Sequence, residues 1–173
     1  MTRQLKLLHA DAETALYEFE RKNRDYFEAF IPSRGDDFYQ PDVFTKRLGQ
    51  LLAEQEQGED RYYLYYDDQT LIGRMNLTNI TAEGQAEAGY RIGAEAAGNG
   101  AATAGLALLL LEAEQAGLTT ITARATATNP ASVKVLERNG FIQYDTESLV
   151  WNGMKDKLHH YKRHLNMKRP SRS

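Results

Sequence analysis

The sequence predicts an α/β (α+β) fold built on one mixed sheet, mostly antiparallel, with a single parallel β–α–β crossover at its centre. Three observations predict it: two helical segments ahead of the first long strands, a strand–helix–strand run around GAEAAGNGAATAGLALLLLEAEQAG at residues 93–117, and two closing strands that read as a hairpin.

Taken in order, Asp11 is a favoured N-cap type, and Leu16, Phe19, Asn23 and Phe27 recur at helical spacing, so a first helix is expected from about Ala12 to Phe27. IPSRGDDFYQPD is rich in turn formers and reads as a loop. Pro41 suits a first helical turn, and Phe44, Leu48, Leu51 and Leu52 give the second helix an inward face that ends near Gly58. RYYLYYDDQTLIGRMNLTNI reads as two strands joined at Asp67, Asp68 and Gln69, and AEAGYRIG at residues 86–93 as the next strand. The helix behind Gly100 carries Leu106 and Leu108 to Leu111, apolar almost all round, which predicts a buried element. Gly117 fits its terminator, and LTTITARATA the strand that completes the crossover. Asn129 and Pro130 open a short helix that Asn139 and Gly140 close. FIQYDTESLVWNG and DKLHHYKRHL then form a hairpin expected to turn at Asn152 and Gly153.

With 173 residues, 42% of them hydrophobic, a formal charge of −3 and no repeat or low-complexity linker, one domain is expected over residues 1–166, with a basic tail at 167–173. The absence of cysteine excludes a disulfide scaffold and thiolate chemistry. The histidines, His9, His159, His160 and His164, lack HExxH spacing, so no metal is expected. MTRQLKLLHADAET has no signal-peptide core and no apolar run reaches the roughly 18 residues of a membrane span, so the expected location is cytoplasmic, with no membrane partner. Lys155, Lys157, Lys162, Arg163, Lys168, Arg169 and Arg172 crowd the last segment. Contact with an anionic surface such as the ribosome is one reading of it; a solvated strand and basic tail is the default.

The most informative stretch is the small-residue loop with Gly98 and Gly100. Side chains are nearly absent there, so an anionic group could approach the first turn of the following helix closely, although glycines also serve purely structural turns. The GxxxxGK[ST] pattern fails because no lysine follows Gly100. The GxGxxG pattern fails because Thr103 stands at its third glycine, and no ribose-binding acid follows, since Leu118, Thr119 and Thr120 occupy that region.

On these residues the chain resembles the GNAT superfamily of acyl-CoA-dependent N-acetyltransferases over nearly its whole length. AGNGAATAGL at 97–106 is similar to the pyrophosphate loop [QR]xxGx[GA], with Gly100 and Ala102 at the small positions and Ala97 where Gln or Arg is usual. That departure removes one side-chain contact but leaves the main-chain amides. NPASVKVLERNGFI at 129–142 is similar to the NxxSxxxxExxGF segment of the branch that acetylates N-terminal alanines of ribosomal proteins, and RDYFEAFIP at 24–32 with AEAGYRIG echoes the same branch.

The resemblance implies a GNAT acyl-CoA N-acyltransferase fold with splayed strands. The strand holding Tyr90, Arg91 and Ile92 would part from the strand ending near Ala127, so that pantetheine amides dock as an added strand. It implies acetyl-CoA as co-substrate, contacted by Tyr90, Arg91, Ile92, Ala97, Gly98, Asn99, Gly100, Ala101, Ala102, Thr103, Asn129 and Ser132. Ser132 is the implied proton donor to the leaving thiolate; the alternative is a first-turn hydroxyl satisfying helix amides. A tyrosine used by many relatives four residues before the GF glycine is replaced by Leu136. Glu87, sharing a strand face with Gly89 and Arg91, is the candidate base; the alternative is a surface carboxylate paired with a cation such as Arg91. Asn129 either bonds the pantetheine arm, caps its helix, or does both. Phe27, Phe30, Phe38 and Tyr39 lie where this family builds its acceptor site, beside Arg34, Asp36 and Asp37, which could read acceptor charge; core packing and loop solubility are the plain alternatives.

The expected function is transfer of an acetyl group to a primary amine, with a protein N-terminus favoured. A small-molecule amine acetyltransferase and a non-catalytic acyl-CoA sensor are the alternatives. Direct nucleic-acid binding is not expected, and the chain is expected to be a monomer or homodimer.

Overall fold

The chain enters its sheet at once, through a strand that the sequence alone did not announce. The computed structural model describes residues 2–151 and 153–165, so the expected tail at 167–173 and the turn residue Asn152 lie outside the described residues. Strand β1 (Arg3–Leu7) pairs antiparallel with β2 (Arg61–Asp67), and the Leu8 N–H continues the contact with a 2.8 Å bond to the Tyr62 carbonyl. RQLKL is short and mostly exposed, so its extended form is set by this long-range pairing rather than by its own pattern.

One helix was expected over 12–27, and two are found. Helix α1 (Glu13–Lys22) and helix α2 (Arg24–Glu28) are separated at Asn23, whose side-chain amide donates to the Phe19 carbonyl at 2.9 Å while its Oδ1 accepts the Ala94 N–H at 2.9 Å. An asparagine offers the backbone an alternative partner, and here it ties the helix break to the loop leaving the central strand. Asp11 does not cap: it sits within a single 3₁₀ turn, Ala10–Ala12, and Ala12 precedes α1 without a side-chain bond. Helix α3 (Pro41–Glu56) begins with proline in its first turn as expected.

Strand β3 (Thr70–Thr78) pairs antiparallel with β2 and with β4 (Gln85–Ile92); helix α4 (Ala101–Gln115) then crosses to β5 (Thr120–Thr126), which runs parallel to β4. Helix α5 (Pro130–Arg138) leads to the hairpin of β6 (Ile142–Trp151) and β7 (Met154–His164). The strand order is β1-β2-β3-β4-β5-β7-β6. This is the mixed sheet with a single parallel seam that the element order implied.

Alternation along β2 sorts the core onto both faces. Tyr63 and Tyr65 join Met75, Leu77, Ala86, Ala88 and the α4 leucines, while Tyr62 and Leu64 join Leu16, Phe19, Phe44 and Leu48 of the helices before the sheet. Helix α4 is less enclosed than its leucine run suggested. Leu106, Leu109 and Leu110 are buried, but Leu111 is 53% exposed, so the helix has a solvent side.

Where α4 crosses the sheet its backbone comes close. A Cβ on Gly105 would sit 2.7 Å from Tyr65 Cε1, and the wholly buried Tyr65 donates its hydroxyl to the Ala101 carbonyl at 2.9 Å. Gly105→Ala gains up to about 1 kcal/mol of helix propensity but overpacks a ring with nowhere to go, a cost of roughly 1–3 kcal/mol. Net destabilisation is expected in urea unfolding. Equal or greater stability would contradict this close approach.

Candidate active site

The parallel seam is short. Pairing of β4 with β5 covers only Gln85↔Thr120, Ala86↔Ile121 and Glu87↔Thr122. Beyond it β4 stays bound to β3 as far as Ile92↔Gly73, and β5 stays bound to β7 as far as Thr126↔Leu158. Each strand is held from its outer side, so the inner edges of Tyr90–Ile92 and of residues 124–126 part without β-ladder pairing to each other.

The glycine loop stands at the mouth of this opening. After a 3₁₀ turn, Ala94–Ala96, Ala97 is extended, and Gly98 and Gly100 both take positive φ, 81° and 72°. Nothing lies within 4 Å of the Cβ position at either glycine, and Gly100 precedes α4 with no side-chain cap. The first intrahelical bond is Ala104 N–H to the Gly100 carbonyl at 3.0 Å, which leaves the amides of Ala101, Ala102 and Thr103 without helical acceptors. Asn99 is exposed, and its carbonyl lies 3.5 Å from the Arg3 guanidinium of β1. Unpaired amides at a helix N-terminus, reached past two glycines with open space around them, suit a phosphate or diphosphate.

Opposite the loop, Asn129 caps α5, its Oδ1 accepting the Ser132 N–H at 3.2 Å. The Ser132 hydroxyl lies 3.1 Å from the Tyr90 hydroxyl and so links α5 to the unpaired half of β4. Burial pushes the Tyr90 phenol above its ordinary range, and the Ser132 contact partly offsets that rise. Tyr90 was expected to contribute its backbone; its side chain also reaches Ser132. Asn139 closes α5 and locks it onto α4 through its amide, which donates to the Thr103 carbonyl at 3.1 Å. Leu136 is buried, as core.

Glu87 is paired, but not with Arg91. Its Oε1 accepts from Arg124 of β5 at 2.9 Å, across the last residues of the seam. Arg91 turns instead to Glu20 of α1, at 3.5 Å. Glu20 is fully buried and also meets Arg74 at 2.7 Å and Arg34 at 3.3 Å. Burial lowers the Arg91 pKa, with Glu20 acting against the shift. Around this cluster Phe27 lies under the Arg91 guanidinium, Phe38 under Arg34 and Tyr39 under Arg24. Phe27 is buried and Phe30 is half-exposed. Asp36 pairs with Arg24, which also binds Glu28.

Glu20 and Arg74 escaped the sequence reading. A signal was there: Glu20 shares the inward spacing of Leu16, Phe19 and Asn23, and Arg74 stands in the middle of an apolar strand, LIGRMNL. Charges on buried faces need partners, and each is the other's.

The acetyltransferase (GNAT) domain family matches residues 3–142. The probable N-acetyltransferase YjcK of Bacillus subtilis strain 168 is 32% identical over 136 residues, 76% of this chain and 75% of its own. A ribosomal-protein-S5-alanine acetyltransferase from Vibrio fischeri superposes with a TM-score of 0.82 at 22% identity, covering 98% of this chain and 97% of its own. The spermidine N-acetyltransferase of Vibrio cholerae, solved with CoA and spermine, gives 0.78 at 18% identity over 94% and 95%. The fold and the family match define the class first: an N-acetyltransferase. The chain belongs to the GNAT acetyltransferase family. No helix among the described residues is long and apolar enough to cross a membrane, and those residues hold no cluster of His, Cys, Asp and Glu suited to a metal.

Tyr90 and Ser132 are part-buried, so removing either hydroxyl loses their net hydrogen bond, about 0.5–1.5 kcal/mol, and removing the second loses that bond no further. Ser132→Ala and Tyr90→Phe are therefore expected to lose less together than the sum of their separate losses, measured by chemical denaturation. Strict additivity would show that the hydroxyls do not pair.

Proposed function

We propose that the chain moves the acetyl group of acetyl-CoA to a primary amine, with a protein N-terminal α-amino group, such as that of a ribosomal protein, as the favoured acceptor. The observation that carries this reading is the parallel seam that stops after three residue pairs beside a helix entered through two glycines with open space at their Cβ positions. In it, amides from Asn99 to Thr103 hold the diphosphate, with Ala97 and Gly98 completing the loop. The backbone of Tyr90 to Ile92 binds pantetheine as an added strand, and Asn129 meets the pantetheine arm.

The amine nitrogen attacks the thioester carbonyl carbon, charge builds on its oxygen, and the C–S bond breaks as the amide forms. A strand amide near Tyr90 aimed at that oxygen is worth about 3 kcal/mol at the transition state. An α-amino group with pKa near 8 loses its proton far more cheaply at neutral pH than a lysine near 10. Glu87, with one oxygen held by Arg124, is the proposed acceptor of that proton, directly or through water. Ser132 gives a proton to the thiolate and regains one through its contact with Tyr90, whose phenol is reprotonated from solvent. The second proton that the nitrogen sheds as the amide forms passes to solvent, as does the one taken by Glu87, so that one proton is released per turnover.

Likeness to the spermidine enzyme supports a second reading, a small polyamine as acceptor. Thiol release measured with N-terminal peptides and with spermidine separates the two: the first reading expects turnover with peptides, and turnover with spermidine alone would replace it. Tight CoA binding without turnover on either would favour a sensor. Gly100→Asp places a carboxylate where the diphosphate is proposed to sit. It is expected to weaken CoA binding by at least about a hundredfold in calorimetry, from charge repulsion and left-handed strain together; unchanged affinity would remove the seat.

A further inference from the structure

Four charged side chains meet on the sheet face opposite α4. Glu20, with no exposed surface, faces three guanidiniums. The cluster is layered. Arg74 is buried like Glu20 and takes its Oε1 at 2.7 Å, whereas Arg34 and Arg91 share Oε2 at 3.3 and 3.5 Å and keep about a quarter of their side-chain surface, 24% and 27%. One carboxylate neutralises one guanidinium, so the outer two form a patch with positive charge in excess. The neighbouring acids reduce this excess without pairing to either outer guanidinium: Glu87 is bound to Arg124, while Glu28 and Asp36 share Arg24 and leave one negative charge over.

The excess lies on the path of the acceptor. Arg91 belongs to the half of β4 that has left the seam, and its guanidinium rests over Phe27, in the aromatic region between the first helices. Arg34 comes from the connecting loop and rests over Phe38. Arg91 has one ionic contact, at 3.5 Å, besides the Phe27 ring, and burial lowers its pKa. Each outer guanidinium retains N–H donors in the planar fork that fits a carboxylate.

We infer that Arg34 and Arg91 form a subsite for a carboxylate on the acceptor, so that the preferred substrate is an amine bearing a nearby acidic group and polycationic amines are disfavoured. This rests on the acetyl-transfer reading above and specifies its acceptor. The carboxylate could come from an acidic side chain beside a peptide N-terminus or from the α-carboxylate of a free amino acid, and the assay separates them.

The test uses the full chain, acetyl-CoA and thiol release. Acceptors are C-terminally amidated peptides, identical except for Asp, Asn or Lys at the second residue, together with free alanine and spermidine. The expected kcat/KM for the Asp peptide exceeds that for the Asn peptide by about tenfold, the worth of one charge-assisted contact, with the Lys peptide lower still and the advantage shrinking as salt rises. Higher activity on free alanine than on the Asp peptide would assign the carboxylate to an amino acid. Arg34→Gln and Arg91→Gln should each bring the Asp-to-Asn ratio to within about threefold. Arg34→Gln lies in the loop and spares the Glu20–Arg74 pair, so it keeps the test valid if Arg91→Gln unfolds. Peptide acetylation indifferent to the second residue, or a ratio unchanged in both variants, overturns this inference while leaving acetyl transfer intact. Transfer to spermidine alone overturns this inference and the peptide acceptor with it, while acetyl transfer to a primary amine stands.

Discussion

Everything in the proposed site depends on the β4–β5 seam being short. A parallel pair joined along its full length would satisfy its own backbone groups and offer nothing to a ligand. Here the lower end is fastened by Thr119 and Thr120 N–H groups that both reach the Gly84 carbonyl, at 2.7 and 3.3 Å, and by Leu165 N–H on the Thr119 carbonyl at 2.8 Å. Above Glu87 and Thr122 the strands follow different neighbours, β3 and β7. Because each is anchored on its far side, the opening is a fixed feature of the sheet rather than a frayed end.

The helix that fills the crossover supplies the second half of the site. Leu106, Leu109 and Leu110 are buried, each worth about 1.5–3 kcal/mol relative to exposure. Gly105 lets α4 sit on the Tyr65 ring, and Asn139 pins its first turn to α5. A helix N-terminus fixed on both sides presents its free amides without a reorganisation cost, which is what the proposed diphosphate contact requires. Arg3 of β1 bonds the Asn99 carbonyl of this loop, so the N-terminal strand touches the site as well as extending the sheet.

Legibility in the sequence followed the range of the interaction. The α4 loop, the Pro41 and Asn129 helix starts, the β2–β3 hairpin and the parallel crossover were visible because caps, glycines and alternation act over a few residues. β1 was not, since RQLKL takes its form from a partner some sixty residues away. The break at Asn23 was hidden for a similar reason, its Oδ1 being held by Ala94 of a distant loop. At the site, local rules placed Glu87, Asn129 and Ser132 on the right elements, but not the partners: Arg124 for Glu87, Tyr90 for Ser132, and Glu20 for Arg91. Register between strands and the approach of α1 decide those pairs, and neither is written in a single segment.

The central claim is that the open half of the seam and the first turn of α4 bind one molecule together. Amide hydrogen exchange with and without CoA measures it directly. The account predicts that CoA slows exchange at Tyr90 to Ile92 and at Ala101 to Thr103 and leaves the β1–β2 pair unchanged. Exchange at those two stretches unaffected by CoA at saturating concentration would contradict it.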